Sequence, residues 1–364
     1  MSSDRFNPAV FTNKNHDLYI EDAPYPSCGP DECVVRIRAT GICGSDIKFW
    51  KSGHVGSIVV EDVLGLGHES SGEVVEIGKD VTKFKVGDRV AVETTIPCGT
   101  CKHCLGGRYN LCPTATSVGA PGTPGTLRNY IVHRAAWLHL MPQDMSFAVG
   151  AILEPLSVAL AGIRRADLRL GQPALIAGTG AVGLLAVALA NAAGATPIVA
   201  TDVSQPRLEI AKKLGAKYTV NALGKTPQEI AKEIVGLTGE ADRPEVAIEC
   251  SGIESSIQSA IYALDSGGVM LQIGVCGKEH VAYPFGATMD REIDLRYLFR
   301  YKSTWPAAIR LASTGRLNLE ALVTHTYKLP DCLKAFETVA DPKSGAVKVI
   351  VSSSYVLCTC ARWY

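Results

Sequence analysis

From Leu170 to Thr201 the chain carries no charged residue. A run of that length could span a bilayer, so it admits either a membrane helix or a deeply buried unit. Gly178, Gly180, Gly183, Asn191 and Pro197 break the run into short apolar pieces separated by turns, the texture of a buried strand-helix-strand unit. The same texture continues downstream. "PALIAGTGAVGLLAVALANAAGA" reads as strand, glycine turn and helix, "TPIVATD" as the next strand, and "SQPRLEIAKKLGA" as the next helix. "EVAIECSG", a helix from about Ile253 and "GGVMLQIGV" extend the alternation. Strand-helix alternation predicts a parallel, doubly wound sheet.

The preceding part of the chain is different. "ECVVRIRAT", "SGEVVEIG" and "DRVAVE" are β-branched runs punctuated by glycine, and mixed structure returns after about Asp290. At 364 residues the chain exceeds one comfortable core. The expectation is an α/β protein of two units: a β-rich one from residues 1–156 and 299–364, built from both ends, and the doubly wound one from 157–298. Thirty-six basic residues balance thirty-six acidic ones, which points away from nucleic acid or a membrane surface as partner. The polar "MSSDRFNPAVF" lacks the apolar core of a signal peptide, and "YVLCTCARWY" has no cysteine four from its end to carry a prenyl group. Twelve cysteines without a signal peptide imply a reducing, cytoplasmic setting, where clustered thiols bind metal more often than they pair.

"GTGAVG" sets Gly178, Gly180 and Gly183 in G-x-G-x-x-G spacing after an apolar strand and before an apolar helix, the context that gives the motif meaning. Gly178 permits the tight turn, Gly180 lets backbone approach a pyrophosphate, and Gly183 lets helix and strand pack closely. Asp202 ends the next strand, nineteen residues after Gly183. A carboxylate there accepts from ribose hydroxyls and repels a 2′-phosphate, so the reading is NAD, with Arg207 beside the adenine. A structural turn with a capping aspartate is the alternative.

"PCGTCKHCLGGRYNLCP" holds Cys98, Cys101, Cys104 and Cys112 in C-x2-C-x2-C-x7-C spacing. Four thiolates fill a tetrahedral zinc shell and leave no open position, so the loop is expected to hold a structural zinc. Oxidised pairs remain the alternative. Any catalytic metal must then sit elsewhere. "GICGSD" offers Cys43, and "GLGHESSGEVVEIG" offers His68 and Glu69, though neither fragment alone specifies a metal.

Taken in this order with the quartet and the glycine motif, these fragments resemble the zinc-dependent medium-chain dehydrogenases. "LGHESSGEV", "VGDRVAVE", "GRYNLCP", "LEPLSVALAG", "FRYKSTWP", "LVTHTYKL" and "KAFETVADPKSGAVKVIV" narrow the resemblance to the polyol branch: sorbitol and xylitol dehydrogenases and, within it, fungal L-arabinitol 4-dehydrogenases. It runs from about residue 10 to 352. It implies a GroES-like β domain plus a Rossmann domain, assembled as a homotetramer. It also implies a catalytic zinc on Cys43, His68, Glu69 and a water, with Glu154 in the inner site. Cofactor contacts are implied at Val182, Ile273, Val275 and Phe299, and substrate contacts at Phe49, Glu154, Arg300 and Tyr301. Ser45 would carry a proton outward, though by itself it also reads as a helix-capping serine. The zinc would act as a Lewis acid on the substrate hydroxyl while hydride passes to the nicotinamide, giving a ketone.

Two departures from the branch stand out. Lys48 in "GSDIKFW" occupies the place of the histidine that ends the proton relay, and is expected to substitute for it in part by contacting the cofactor. "FRYKSTWP" replaces the commoner "FRYCNTWP", which makes Lys302 and Ser303 unusual. A zinc dehydrogenase of another secondary alcohol or of an amino acid, and a non-catalytic binding protein on the same scaffold, remain open. A zinc-ribbon nucleic-acid binder is the weakest reading, because no basic face is visible.

Overall fold

The computed structural model describes residues 6–353. Residues 1–5 and 354–364, which carry part of the signal-peptide expectation and all of the prenylation one, lie outside the described residues.

The uncharged run is a strand-helix-strand unit, Ala174–Ala177, Ala181–Ala192 and Ile198–Asp202. It opens a six-stranded sheet that is parallel throughout. In space the strands run Tyr218–Asn221, Ile198–Asp202, Ala174–Ala177, Val246–Glu249, Val269–Gln272 and Asp294–Tyr297. The order reverses between Ala174–Ala177 and Val246–Glu249, and ligands of such sheets bind beyond the strand ends at that reversal. The central strands, Ala174–Ala177 and Val246–Glu249, are fully buried and apolar apart from Glu249.

The second sheet joins the two ends of the chain. Its main path runs Leu138–Leu140, Arg89–Val92, Glu69–Ile77, Glu32–Gly41, Lys348–Ser352 and Val323–Lys328, and Tyr130–Arg134 also pairs with Glu32–Gly41. Lys348–Ser352 lies antiparallel to Glu32–Gly41, with Ile350 opposite Gly41. The β-rich unit is therefore built from both termini, as its sequence pattern implies.

The helix Phe147–Ala166 runs through position 156 and ties the two sheets together. Ala151 packs with Ala39 and Ile350 of the mixed sheet, while Leu156, Leu160 and Ile163 join the core that includes Ile176 and Leu184. Among the described residues it is the one helix long and apolar enough to cross a membrane, yet 78% of its most apolar window is buried inside the protein.

The glycine turn shows why its residues are small. Gly178 has φ +87°, and a Cβ on Gly183 would overlap the Gly178 carbonyl oxygen. Gly180 faces open space. Gly183→Ala should therefore cost about 3 kcal/mol of stability, since the obstruction is backbone that cannot rotate away. Gly180→Ala should cost less than about 1 kcal/mol by the same reasoning. Denaturant melts of the two variants side by side test the contrast, and equal losses would contradict it.

Candidate active site and metal centres

Cys43 caps the helix Gly44–Ser52, which starts where the strand Glu32–Gly41 ends. Gly41 stands opposite Glu69 in the neighbouring strand, with His68 just before it. Register alone thus delivers three donors to one point, and the Cys43, His68 and Glu69 ligand atoms lie within 4.8 Å of one another. A side chain on Gly41 would overlap the Glu69 carboxylate and press on Lys348. Glycine keeps that space open.

Two residues that the sequence reading passed over hold this cluster. Asp46 is fully buried; its carboxylate accepts from the Cys43 N–H (2.9 Å) and the Gly67 N–H (3.0 Å) and lies 3.4 Å from His68 Nδ1. Burial alone would raise its pKa, but His68 and the two N–H groups hold it below the ordinary value. Lys348, also buried, donates to Glu69 Oε2 at 2.5 Å. Burial alone would lower its pKa, but Glu69 and Cys43 raise it. The sequence carried a signal for each. "CGSD" has the i, i+3 spacing of a capping box, and Lys348 interrupts the apolar strand "KVIVS", where a buried cation needs a partner.

The surroundings favour a cation. Burial would lower the pKa of His68, yet the carboxylate of Asp46 and the thiol of Cys43 raise it well above the usual histidine range. Burial pushes Glu154 up to about 7, with Glu69 adding to the rise and His68, Lys348 and Arg300 opposing it. Cys43, Asp46, Glu69 and Glu154 crowd acidic groups around one lysine and one histidine. A thiolate, imidazole and carboxylate donor set suits zinc, and Asp46 at the imidazole nitrogen is the outer partner such a ligand needs.

The cysteine quartet is a second, separate cluster. Its four sulfurs also lie within 4.8 Å, with Cys98 and Cys104 3.9 Å apart and Cys101 and Cys104 3.5 Å apart. All ten cysteines among the described residues are free thiols, so the quartet contains no oxidised pair. Backbone N–H groups of Thr100 and Cys101 lower the Cys98 thiol pKa. Four thiols gathered to one point with backbone N–H donors fit a closed tetrahedral metal.

The glycine turn follows the strand Ala174–Ala177, beside the point where the sheet order reverses. Asp202 accepts from the Thr179 N–H (2.7 Å) and hydroxyl (3.0 Å) and from the Ser204 N–H (2.9 Å), bracing the turn. Across the reversal point, buried Glu249 accepts from the Gly252 N–H (2.9 Å), Ser256 Oγ (2.9 Å) and Gln272 Nε2 (2.6 Å). Val182 and Ile273 pack half-buried against the core, whereas Val275 and Phe299 are exposed. Lys48 Nζ donates to the Val275 carbonyl at 2.8 Å, bridging the cleft. Arg207 donates to the Ala346 carbonyl (3.2 Å) in the mixed-sheet unit. Its guanidinium is thus directed to the neighbouring unit, which alters the expectation of an adenine contact. Ser45 Oγ lies 3.4 Å from His68 Nε2, beside the cluster.

Two expected substrate contacts need correction. Phe49 is buried in the core cluster beneath its helix with Ile42, Leu64 and Phe336, so its ring is packed into the wall and not presented free. Tyr301 is fully buried; its hydroxyl lies 2.8 Å from Thr94 Oγ1 and its ring packs edge-on against Trp305. It has no free polar atom for a substrate. Both are large and aromatic next to site residues, and sequence cannot tell a ring that lines a pocket from one that backs it. Arg300 does remain available. It makes one long hydrogen bond, to Thr95 Oγ1 at 3.3 Å, and is close enough to lower the Glu154 pKa.

A parallel dinucleotide sheet, a cysteine–histidine–carboxylate cluster at its cleft and a separate thiol quartet define a zinc-binding dehydrogenase. The chain matches the alcohol dehydrogenase GroES-like domain over residues 29–143 and the zinc-binding dehydrogenase domain over 181–314. It is 46% identical to an L-arabinitol 4-dehydrogenase of Aureobasidium melanogenum, covering 95% of this chain and 96% of that protein. It is 42% identical to a sorbitol dehydrogenase of Gallus gallus, covering 95% and 96%. A solved structure from Sinorhizobium meliloti 1021, described as a zinc-binding dehydrogenase bound to NADP, superimposes with a TM-score of 0.85 at 26% identity, covering 95% and 99%. The chain belongs to the zinc-binding medium-chain alcohol dehydrogenases, and is an oxidoreductase that uses zinc and a nicotinamide cofactor.

Removing Lys348 would leave the Glu69 carboxylate buried without its cation. Lys348→Met should cost about 3 kcal/mol of unfolding free energy, typical of breaking one side of a buried pair. Chemical denaturation of the metal-free protein, in which no dication can compensate Glu69, measures it. A loss below about 0.5 kcal/mol would mean that Glu69 finds its compensation elsewhere.

Proposed function

We propose that this protein is an NAD-dependent polyol dehydrogenase that oxidises a secondary hydroxyl of a sugar alcohol, with L-arabinitol to L-xylulose as first choice. The observation that supports it is the pairing of the Cys43–His68–Glu69 cluster with Glu154 and Arg300, a buried acid and a half-buried cation beside the metal donors. A substrate with several hydroxyls can partner such groups, and a simple alcohol leaves them unpaired. Similarity to both L-arabinitol 4-dehydrogenases and sorbitol dehydrogenases supports the substrate class.

The overall reaction converts a secondary alcohol and NAD+ into a ketone, NADH and a proton. Cys43, His68 and Glu69 would hold a zinc ion, which when bound would supply Lewis acidity toward an alcohol hydroxyl. Asp46 fixes the His68 ring, and Ser45 beside that ring offers the proton a first step outward. Glu154, with a pKa near 7, can hold or release a proton at neutral pH. Arg300 orients the distal oxygens. The open space at Gly180 receives the pyrophosphate, and Asp202, at the end of the second strand, selects NAD over NADP.

The same reading includes two zinc ions per subunit, the second in the quartet. It also includes a homotetramer in the cytoplasm. The edge strand Asp294–Tyr297 supports assembly, because exposed Tyr297, Met289 and Phe285 accompany a strand with one open side.

Steady-state kinetics over L-arabinitol, xylitol, D-sorbitol and 2-propanol test the proposal. The best polyol should exceed 2-propanol in kcat/KM by roughly ten- to hundredfold, the penalty for buried polar groups left unpaired. Parity with 2-propanol would sink the polyol reading. NADP should be a poor substitute, and Asp202→Ala should narrow the gap.

Elemental analysis should find two zinc ions per chain. Cys101→Ser should lose one of them and melt earlier, because a closed thiolate site contributes folding energy. Cys43→Ser should lose turnover while keeping its fold. A Cys101→Ser protein with normal melting and zinc content but no activity would reverse the two roles.

A further inference from the structure

The segment Phe299–Ser303, which carries Arg300, is held in a costly shape. Arg300 has φ +55° and Ser303 φ +52°, both in the left-handed region that disfavours side chains. Two such residues within four positions keep this conformation only if their surroundings impose it. The imposing groups come from the cysteine lobe and the strand end that leads into it.

Asn110 Nδ2 donates to the Phe299 carbonyl at 2.9 Å, fixing the start of the segment. The Ser303 N–H donates to the Tyr109 hydroxyl at 2.8 Å, fixing its end. Tyr109 and Asn110 are neighbours in the short turn Tyr109–Leu111, directly before the quartet's Cys112. The Tyr109 hydroxyl in turn donates to buried Glu93 at 2.7 Å, and the other Glu93 oxygen pairs with His139 Nε2 at 2.7 Å. The next two residues grip the middle of the segment, Thr94 at the Tyr301 hydroxyl and Thr95 at the Arg300 guanidinium.

We infer that Tyr109 and Asn110 are positioning residues for Arg300, so that the thiol lobe sets substrate selectivity as well as stability. The inference rests on the reading of Arg300 as the contact for distal hydroxyls. Without the Tyr109 hydroxyl, the Ser303 N–H and one Glu93 oxygen lose their partner. The left-handed turn is then free to relax, and the guanidinium moves with it. Chemistry at the Cys43–His68–Glu69 cluster does not run through this turn.

The test uses the zinc-loaded enzyme with NAD, comparing the best polyol with 2-propanol. Tyr109→Phe should lower polyol kcat/KM by roughly tenfold or more, as expected for a buried group left unpaired. The fall should appear mainly in KM, and 2-propanol turnover should fall far less. In an Arg300→Ala background, Tyr109→Phe should add less than about a twofold further loss for the polyol, since both changes remove one interaction. Equal losses for both substrates, or losses that multiply in the double variant, would overturn the inference and leave the lobe a purely structural role. If Tyr109→Phe melts too early to assay, Asn110→Ala carries the same comparison with the same two outcomes. The function proposed above is judged on the unmodified enzyme. A wild-type enzyme without polyol preference overturns both, whereas a wild-type preference that neither variant narrows overturns this inference alone.

Discussion

The ion pair between Lys348 and Glu69 joins the end of the chain to its first third inside the protein. Desolvating two charges is expensive, and only close approach with good geometry offsets it. The observed strand order meets that requirement. Glu32–Gly41 lies between Glu69–Ile77 and Lys348–Ser352, and glycine stands at position 41 where the pair crosses it. Once those strands are placed, Cys43 follows at the next helix N-terminus and His68 at the adjacent turn. The metal donors therefore come with the register in which the ion pair forms.

The same pair controls how much negative charge the site carries. A cysteine, two glutamates and an aspartate around one histidine would repel one another strongly at low dielectric. Lys348 neutralises one carboxylate, and Asp46 is committed to His68 and two backbone N–H groups. What remains for a dication is Cys43, His68 and the unpaired share of Glu69. Glu154 is left as the carboxyl with the least compensation, and it is the one that burial drives toward neutrality. The chain thus separates a ligand carboxylate from a protonatable one by the company each keeps.

Much of this was legible in the sequence because the signals were local. The G-x-G-x-x-G turn, the four-cysteine spacing and the alternation of strand and helix depend on residues within a few positions of one another. The metal triad was legible only through resemblance, since Cys43 and His68 are brought together by strand register, which a single sequence does not display. Asp46 and Lys348 were passed over for the same reason: their partners are near in space and, for Lys348, 279 positions away. Phe49 and Tyr301 failed differently. The faces of an aromatic ring carry no sequence signal of direction, and only packing decides whether the ring faces inward or backs the wall.

Lys48 shows what a departure from a family pattern means in physical terms. A histidine in its place can pass a proton; a lysine holds whatever acceptor is in reach. Here that acceptor is the Val275 carbonyl of the dinucleotide unit. On the other side of the cleft, Arg207 makes the complementary contact from the dinucleotide unit to Ala346. Each unit therefore reaches across to a backbone carbonyl of the other with a cationic side chain. Charge-assisted bonds to carbonyls are stronger than neutral ones, yet Lys48 is also exposed to water and exchanges partners at little cost. The departure at position 48 thus places a cation where the two units meet, held on a backbone carbonyl of the dinucleotide unit.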